Sequence, residues 1–304
     1  MNHIAAVVVN WNRFEATVEC VTLIQAGEMP CRKIVIVDNA STDGSGRMLK
    51  EHFSDMEAVT VIEQSTNTGF AAGANAGIKA VLMDGPRFVF LINNDAVVDP
   101  RCLAILTNVL DSSKDCGMAG PAILFYGAQD KVWQGGGVFN VFKAGVIVPD
   151  KNKAYSRISK SIKEVTFLSG CALLVRSEVF SSIGMFDEDY FMYGEDADLC
   201  LRAKKGGIRL LYAPEAKAFH KIKEGGGERA SAFVLYHLGR SGMLLYCKAF
   251  SRTYAFYGLI LQWFLFTPYR VVQMIKSGSG FEGFSWWLRG VWDGFRRRHA
   301  RALA

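Results

Sequence analysis

Carboxylates and amides gather at four points along the chain: Asp38-Asn39-Ala40-Ser41-Thr42-Asp43, Asn67-Thr68-Gly69-Phe70, Asn93-Asn94-Asp95 and Glu195-Asp196-Ala197-Asp198. The third is the most informative, because the apolar run Phe88-Val89-Phe90-Leu91-Ile92 breaks straight into it, with Asp99-Pro100 just beyond. A short, continuously apolar, aromatic-rich run reads as a strand buried on both faces of a parallel sheet. Ligands of such sheets gather at strand C-termini. Asp95 therefore stands where a cation or substrate is expected, and Mg²⁺ or Mn²⁺ takes oxygen ligands. The alternative is an Asp that only starts a turn. Asp38 likewise ends the apolar run Ile34 to Val37, where a carboxylate can accept hydrogen bonds from a base or ribose, while Ser41 and Asp43 could merely cap a following helix. The glycines between Asn67 and Gly77 open a helix, so the backbone there can approach a phosphate-bearing ligand, unless they serve only helix packing. Glu195, Asp196 and Asp198 read from the residues alone as first-turn acids stabilised by a helix dipole.

The elements that must position these residues follow from periodicity. Short β-branched runs (Ile4 to Val9, Ile34 to Val37, Val59 to Ile62, Phe88 to Ile92) alternate with helical stretches, among them Phe14 to Gln25 and Ala71 to Leu82. Strand and helix in turn mean a parallel sheet with crossover helices. From Arg101 to His220 the pattern is less regular, with Gly135-Gly136-Gly137 in a loop and a polar, lysine-rich stretch from Asp150 to Lys163 expected to be a mobile surface loop. A helix from Ser177 stops at Gly184, and another from Glu195 to Lys205 stops at Gly206-Gly207, where a left-handed cap needs glycine. Gly225-Gly226-Gly227 marks a break, after which Val234 to Phe250 and Tyr254 to Ile275 read as helices. The apolar stretch Ala255 to Phe266, interrupted by Gln262 and closed by Pro268 and Arg270, is too short to span a bilayer, which takes about 20 residues. It is either interfacial or a core helix.

At 304 residues and 50% hydrophobic, the chain can bury a substantial core and excludes a disordered or fibrous class. The seven cysteines form no CxxC pair and no His-spaced set, so they read as small core residues of a reducing compartment. The stretch from Ile4 to Val9 is too short, and Met1-Asn2-His3 too uncharged, for a secretory signal. The net charge of +6 is concentrated in Arg289, Arg296, Arg297, Arg298 and Arg301. Their neighbours Trp286-Trp287-Leu288 and Trp292 suit an anionic membrane interface better than nucleic acid, which is not expected as a partner.

Taken in order, these segments resemble the family 2 glycosyltransferases, inverting enzymes of the GT-A fold, and in particular their rhamnosyltransferase-like branch. The resemblance covers nearly the whole chain. Its most specific stretch runs from Phe186-Asp187-Glu188-Asp189-Tyr190-Phe191 through Met192-Tyr193-Gly194-Glu195-Asp196-Ala197-Asp198 to Leu199-Cys200-Leu201-Arg202, followed by Gly206, Pro214 and His220. It implies a Rossmann-like, mostly parallel α/β sheet flanked by helices in residues 1–224, with a nucleotide-binding half (1–100) and an acceptor and catalytic half (101–224). Residues 225–304 would form a C-terminal helical region that touches membrane.

It further implies a sugar donor linked to TDP or UDP, a glycan or polyprenyl-linked acceptor, and a divalent cation, in an enzyme placed in the cytoplasm or on the inner membrane face. Asn10, Asp38, Asn67, Gly69, Phe70, Asn75, Asn93 and Asn94 would hold the nucleotide, Asp95 and His220 the metal, and Asp196 would be the base with Glu195 raising its basicity by like-charge repulsion. One departure matters: the family's Asp-x-Asp motif is here Asn93-Asn94-Asp95, a variant common in that branch, so a single carboxylate remains and metal binding should be weak or nucleotide-dependent. Two other functions stay open. A sugar-nucleotide nucleotidyltransferase would want a glycine-rich loop where Asn10-Trp11-Asn12-Arg13 stands, and a non-catalytic glycan-binding scaffold would be indifferent to Asp196→Asn.

Overall fold

A computed structural model describes residues 4–140, 145–222, 231–249, 252–261 and 280–296, with isolated positions 264, 267 and 268. Gly225 to Gly227, Gln262, Arg270, the stretch to Ile275, and Arg297, Arg298 and Arg301 lie outside the described residues.

The first half is built as the periodicity predicts: β1 (Ile4–Asn10), α1 (Phe14–Gln25), β2 (Lys33–Asp38), α2 (Ser45–His52), β3 (Val59–Glu63), α3 (Gly69–Leu82), β4 (Phe88–Asn93), β5 (Ala96–Val98) and α4 (Cys102–Ser112). The second half adds β6 (Cys116–Phe125), β7 (Ala128–Gln134), the small hairpin β8 (Val138–Asn140) and β9 (Gly145–Ile147), then β10 (Lys163–Val165), β11 (Ala172–Arg176), α5 (Ser177–Ile183), α6 (Glu195–Lys205) and β12 (Arg209–His220). Helices α7 (Ala232–Ala249), α8 (Arg252–Leu261) and α9 (Gly280–Phe295) follow.

The main sheet runs β10-β12-β6-β11-β4-β1-β2-β3, with β5 on β12 and β7 on β6. It is parallel through β4-β1-β2-β3. Beyond β4 it is mixed: β11 is antiparallel to both β4 and β6, while β12 returns parallel to β6. Alternate residues of the central strands enter two cores. Ile4, Phe88, Phe90 and Ile92 meet α1, α2 and α4 on one face. Ala5, Val7, Val89 and Leu91 meet α3, α5 and α6 on the other. This two-sided cover is why β4 reads as an unbroken apolar run. Burying its five apolar residues stabilises the sheet by on the order of 10 kcal/mol.

The cysteines expected in the core are all buried and free, and burial pushes the Cys31 thiol up to about 12. The stretch from Asp150 to Lys163 departs from its expectation as a mobile loop. Ser156 bonds Asp130 through both its N–H and its hydroxyl, Val132 accepts at its carbonyl from Asn152 N–H and donates its N–H to the Lys153 carbonyl, and the Tyr155 hydroxyl donates to the Pro214 carbonyl at 3.0 Å. Polar composition hid these anchors, because the groups that look solvated are spent on one another.

Candidate active site

The C-terminal ends of β1, β2 and β4 converge through side-chain amides. Asn10 is fully buried; its Nδ2 lies 2.7 Å from Asp38 Oδ1 and 3.0 Å from Ser45 Oγ, and its Oδ1 accepts from Thr17 Oγ1 at 2.7 Å. Asp38 also accepts from Ser41 Oγ and Ser41 N–H. Asn39, overlooked in the sequence, is the matching brace on the other side: its Nδ2 donates to Asn67 Oδ1 and the Gly69 carbonyl, and its Oδ1 accepts from Thr68 N–H.

Gly69 N–H donates to Asn67 Oδ1 and Phe70 N–H to the Phe191 carbonyl at 2.6 Å. Two N-terminal amides of α3 are thus used inside the protein. Gly69 has a φ of +86°, and a Cβ there would lie 2.3 Å from the Phe191 carbonyl oxygen. Gly77 gives the same room to Val7. Of the two explanations for these glycines, packing is what the structure displays. Asn75, expected at the nucleotide, is 2% exposed, with Nδ2 on Phe186 O and Glu188 Oε1 and with Oδ1 accepting from Phe186 N–H, so in this structure it anchors the loop ahead of α6.

Asn94 reaches back to Thr17 Oγ1 at 3.0 Å, holding the β4 turn onto α1. Beside it, Asp95 Oδ1 sits 3.0 Å from His220 Nε2, brought close because β5 and β12 pair with Ala96 opposite His220. The Trp133 ring packs against the imidazole at 4.4 Å, and His220 Nδ1 is buried without a partner. Burial alone would raise the Asp95 carboxyl, but the hydrogen bond and charge of His220, with the charge of Arg13, outweigh it and hold Asp95 below the usual range. Arg13 is a second residue the sequence left unassigned. It is exposed at the start of α1 and, among the described residues, has no side-chain partner, whereas Lys217 pairs with Asp99 and Lys221 with Glu19.

Asp196 lies across the same corner. Its Oδ2 accepts from Gly170 N–H at 3.1 Å and its Oδ1 from Ala197 N–H at 2.8 Å, at the start of α6. The next residue, Cys171, accepts at its carbonyl from Asn93 N–H, so one dipeptide links Asp196 to the Asn93-Asn94-Asp95 turn. A Cβ on Gly170 would meet Asp196 Cβ at 3.3 Å, a close approach with no signal in the sequence beyond a lone glycine. Desolvation raises the Asp196 carboxyl despite its two backbone donors. Burial and the charge of Asp196 raise Glu195 further, and Glu195 Oε2 is buried with no partner. The helix-dipole explanation fits Asp198, which is locked to Arg202 Nε at 2.7 Å; it does not explain an unpartnered Glu195.

Among the described residues no group of three or more His, Cys, Asp or Glu side chains is placed to hold a metal. Asp95 and His220 together could offer one carboxylate and one imidazole to a divalent cation, too few to hold it unaided.

A family model described as glycosyltransferase-like family 2 matches residues 2–235. The chain belongs to this family. It is 29% identical over 238 residues to the N-acetylglucosaminyl-diphospho-decaprenol L-rhamnosyltransferase of Mycobacterium tuberculosis, covering 71% of this chain and 75% of that protein. It is 28% identical to the dTDP-rhamnosyl transferase RfbF of Shigella flexneri over 62% of this chain and 60% of that protein. Among solved structures, GalNAc-T7 with UDP, GalNAc and Mn²⁺ matches with a TM-score of 0.65 at 14% identity, over 82% of this chain and 49% of that one, so this chain spans about half its length. The mannosyltransferase PcManGT from Pyrobaculum calidifontis, with GDP-Man and Mn²⁺, matches with a TM-score of 0.56 at 13% identity over 97% of this chain and 88% of that one. At such identity the likeness carries the fold alone, the GT-A architecture, while the rhamnosyltransferase-like character rests on the sequence relatives.

Proposed function

We propose that this glycosyltransferase moves a hexose, rhamnose being the leading candidate, from a TDP- or UDP-linked donor to a glycan or polyprenyl-linked acceptor in cell-surface polysaccharide synthesis, with inversion. The observation that carries this is the convergence of Asp95, His220 and Asp196 on one strand-end corner through Gly170-Cys171. Support for rhamnose and a lipid-linked acceptor comes from the names of the mycobacterial and Shigella relatives.

Asn67 and Asn93 would line the crevice at the ends of β2 and β4, with the buried Asn10 and Asp38 bracing it from beneath. Asp95 and His220 would hold a divalent cation, which when bound supplies Lewis-acid neutralisation of the departing diphosphate. Arg13 adds a fixed positive charge there, which would neutralise part of the diphosphate directly. Asp196 takes the acceptor hydroxyl's proton as that oxygen bonds to the anomeric carbon and the bond to diphosphate breaks on the opposite face. Burial raises its pKa and gives it more proton affinity than an ordinary carboxylate. The experiment is thermal stabilisation by UDP, TDP and GDP with and without Mn²⁺: a response to one nucleotide that needs Mn²⁺ is expected, and no response to any of them refutes the donor assignment.

A further inference from the structure

The C-terminal helices expose a surface that the transfer reaction does not use. Helix α9 has two faces. Inward, Trp287 and Val291 are buried against α7, and Gly290 and Gly294 lie so close to the Tyr236 and Arg240 carbonyls that no side chain would fit. Outward, Arg289, Trp292, Phe295 and Arg296 form one exposed stripe, with the Arg289 guanidinium 5.2 Å over the Trp286 ring and that of Arg296 5.0 Å over Trp292. Among the described residues neither arginine pairs with a carboxylate. Helix α8, also packed on α7, exposes Phe256 (64%), Tyr257 and Ile260 along one side, and Phe264 (74%) continues that spacing.

We infer that this face of α8 and α9 is a docking surface for an anionic lipid bilayer. Aromatic rings that carry arginines match the boundary between headgroups and acyl chains, where a ring buries its body and a guanidinium meets lipid phosphate. The described exposed side chains of the stripe on α8 are aromatic or aliphatic, which suits acyl chains and not the phosphates of a nucleic acid. A second copy is a poor occupant, since a two-fold contact through α9 brings the arginines of one stripe, Arg289 and Arg296, onto those of the other. No described helix is long and apolar enough to cross the bilayer, so α9 lies along the surface.

The same scaffold reaches the active site. On α7, the buried Arg240 donates to the Asp189 carbonyl at 2.7 Å, Ser241 to the Met192 carbonyl at 2.9 Å, and Lys248 binds both Asp187 and Asp189. These residues form the loop that leads into Glu195 and Asp196. Helix α7 therefore carries the lipid-facing helix on one side and that loop on the other, and docking fixes the site relative to the bilayer. This surface stands independently of the donor and of the reaction proposed above.

The test is cosedimentation of the full chain with phosphatidylcholine vesicles and with vesicles of phosphatidylcholine and phosphatidylglycerol at about three to one, in low and high salt. Binding to the anionic vesicles alone, weakened by salt, is expected. Trp292→Ser with Phe295→Ser, and Arg289→Glu with Arg296→Glu, should each reduce it by about tenfold or more while far-UV circular dichroism is unchanged. Three results overturn the inference: no cosedimentation of the wild-type chain, equal binding by both variants, or a solution dimer that the arginine variant dissociates.

Discussion

Gly69→Ala isolates the claim that this glycine exists for the Phe191 carbonyl. The new Cβ would stand 2.3 Å from that oxygen and 2.8 Å from the Phe191 ring, at a φ of +86°. Left-handed backbone costs an alanine about 1 kcal/mol. Moving the Phe191 carbonyl out to van der Waals distance lengthens the Phe70 N–H···O bond beyond use, about another 1 kcal/mol, and the displaced loop adds about 1–3 kcal/mol of overpacking. The sum is about 3–5 kcal/mol, or a Tm lower by roughly 6–10 °C at about 2 °C per kcal/mol for a chain of this size. Gly85→Ala is the control: φ is +60° there but nothing lies within 4 Å of the added Cβ. It should cost only the backbone term, about 1 kcal/mol. Differential scanning calorimetry of both variants decides the matter. Equal losses of Tm, or a Gly69→Ala protein of full stability that merely binds nucleotide less well, would refute the packing explanation and return the glycine to the ligand.

Four further outcomes follow from the same geometry. Glu195→Gln removes a buried carboxylate whose pKa is raised in the fold, so the wild type loses stability as pH rises above the ordinary carboxylate value, about 4, toward the raised one. The variant should be the more stable protein at alkaline pH, by roughly 1–3 kcal/mol, with the difference vanishing in acid; Tm against pH reads it. Asn75→Ala strands the Phe186 N–H and carbonyl, and should cost about 2–4 kcal/mol in urea denaturation. Asp95→Asn should abolish the Mn²⁺ dependence of nucleotide stabilisation, as should chelation of the metal from the wild type. Arg13→Ala should weaken nucleoside diphosphate binding by about tenfold at low salt, while the unphosphorylated nucleoside binds as before; titration calorimetry separates the two.

The parallel half was legible because a strand covered on both faces leaves no alternation, and Phe88 to Ile92 announces one directly. Asn93-Asn94-Asp95 and Glu195-Asp196 fall at element ends for a related reason: polar groups that abruptly follow an apolar run or open a helix mark where a strand stops or a helix starts. What the sequence hid lies in pairings between distant segments. Asn75 and Asn39 look like ligand or loop residues until their partners at Phe186 and Asn67 are known. Gly170 shows its purpose only when Asp196 comes to rest against it. The antiparallel β11, inserted between β4 and β6, follows from register and not from composition. The stretch from Asp150 to Lys163 looked mobile because hydrogen bonds made within a surface segment leave no mark on its polarity.

The most direct measurement is transfer by Asp196→Asn, compared with its Mn²⁺-dependent nucleotide binding. Amide for carboxylate keeps the size beside Gly170, gives up one of the two backbone bonds and removes the proposed base. Nucleotide affinity should stay within about twofold of wild type while the transfer rate falls by about 10²–10⁴-fold. Wild-type transfer by this variant would contradict the assignment of Asp196 as the base.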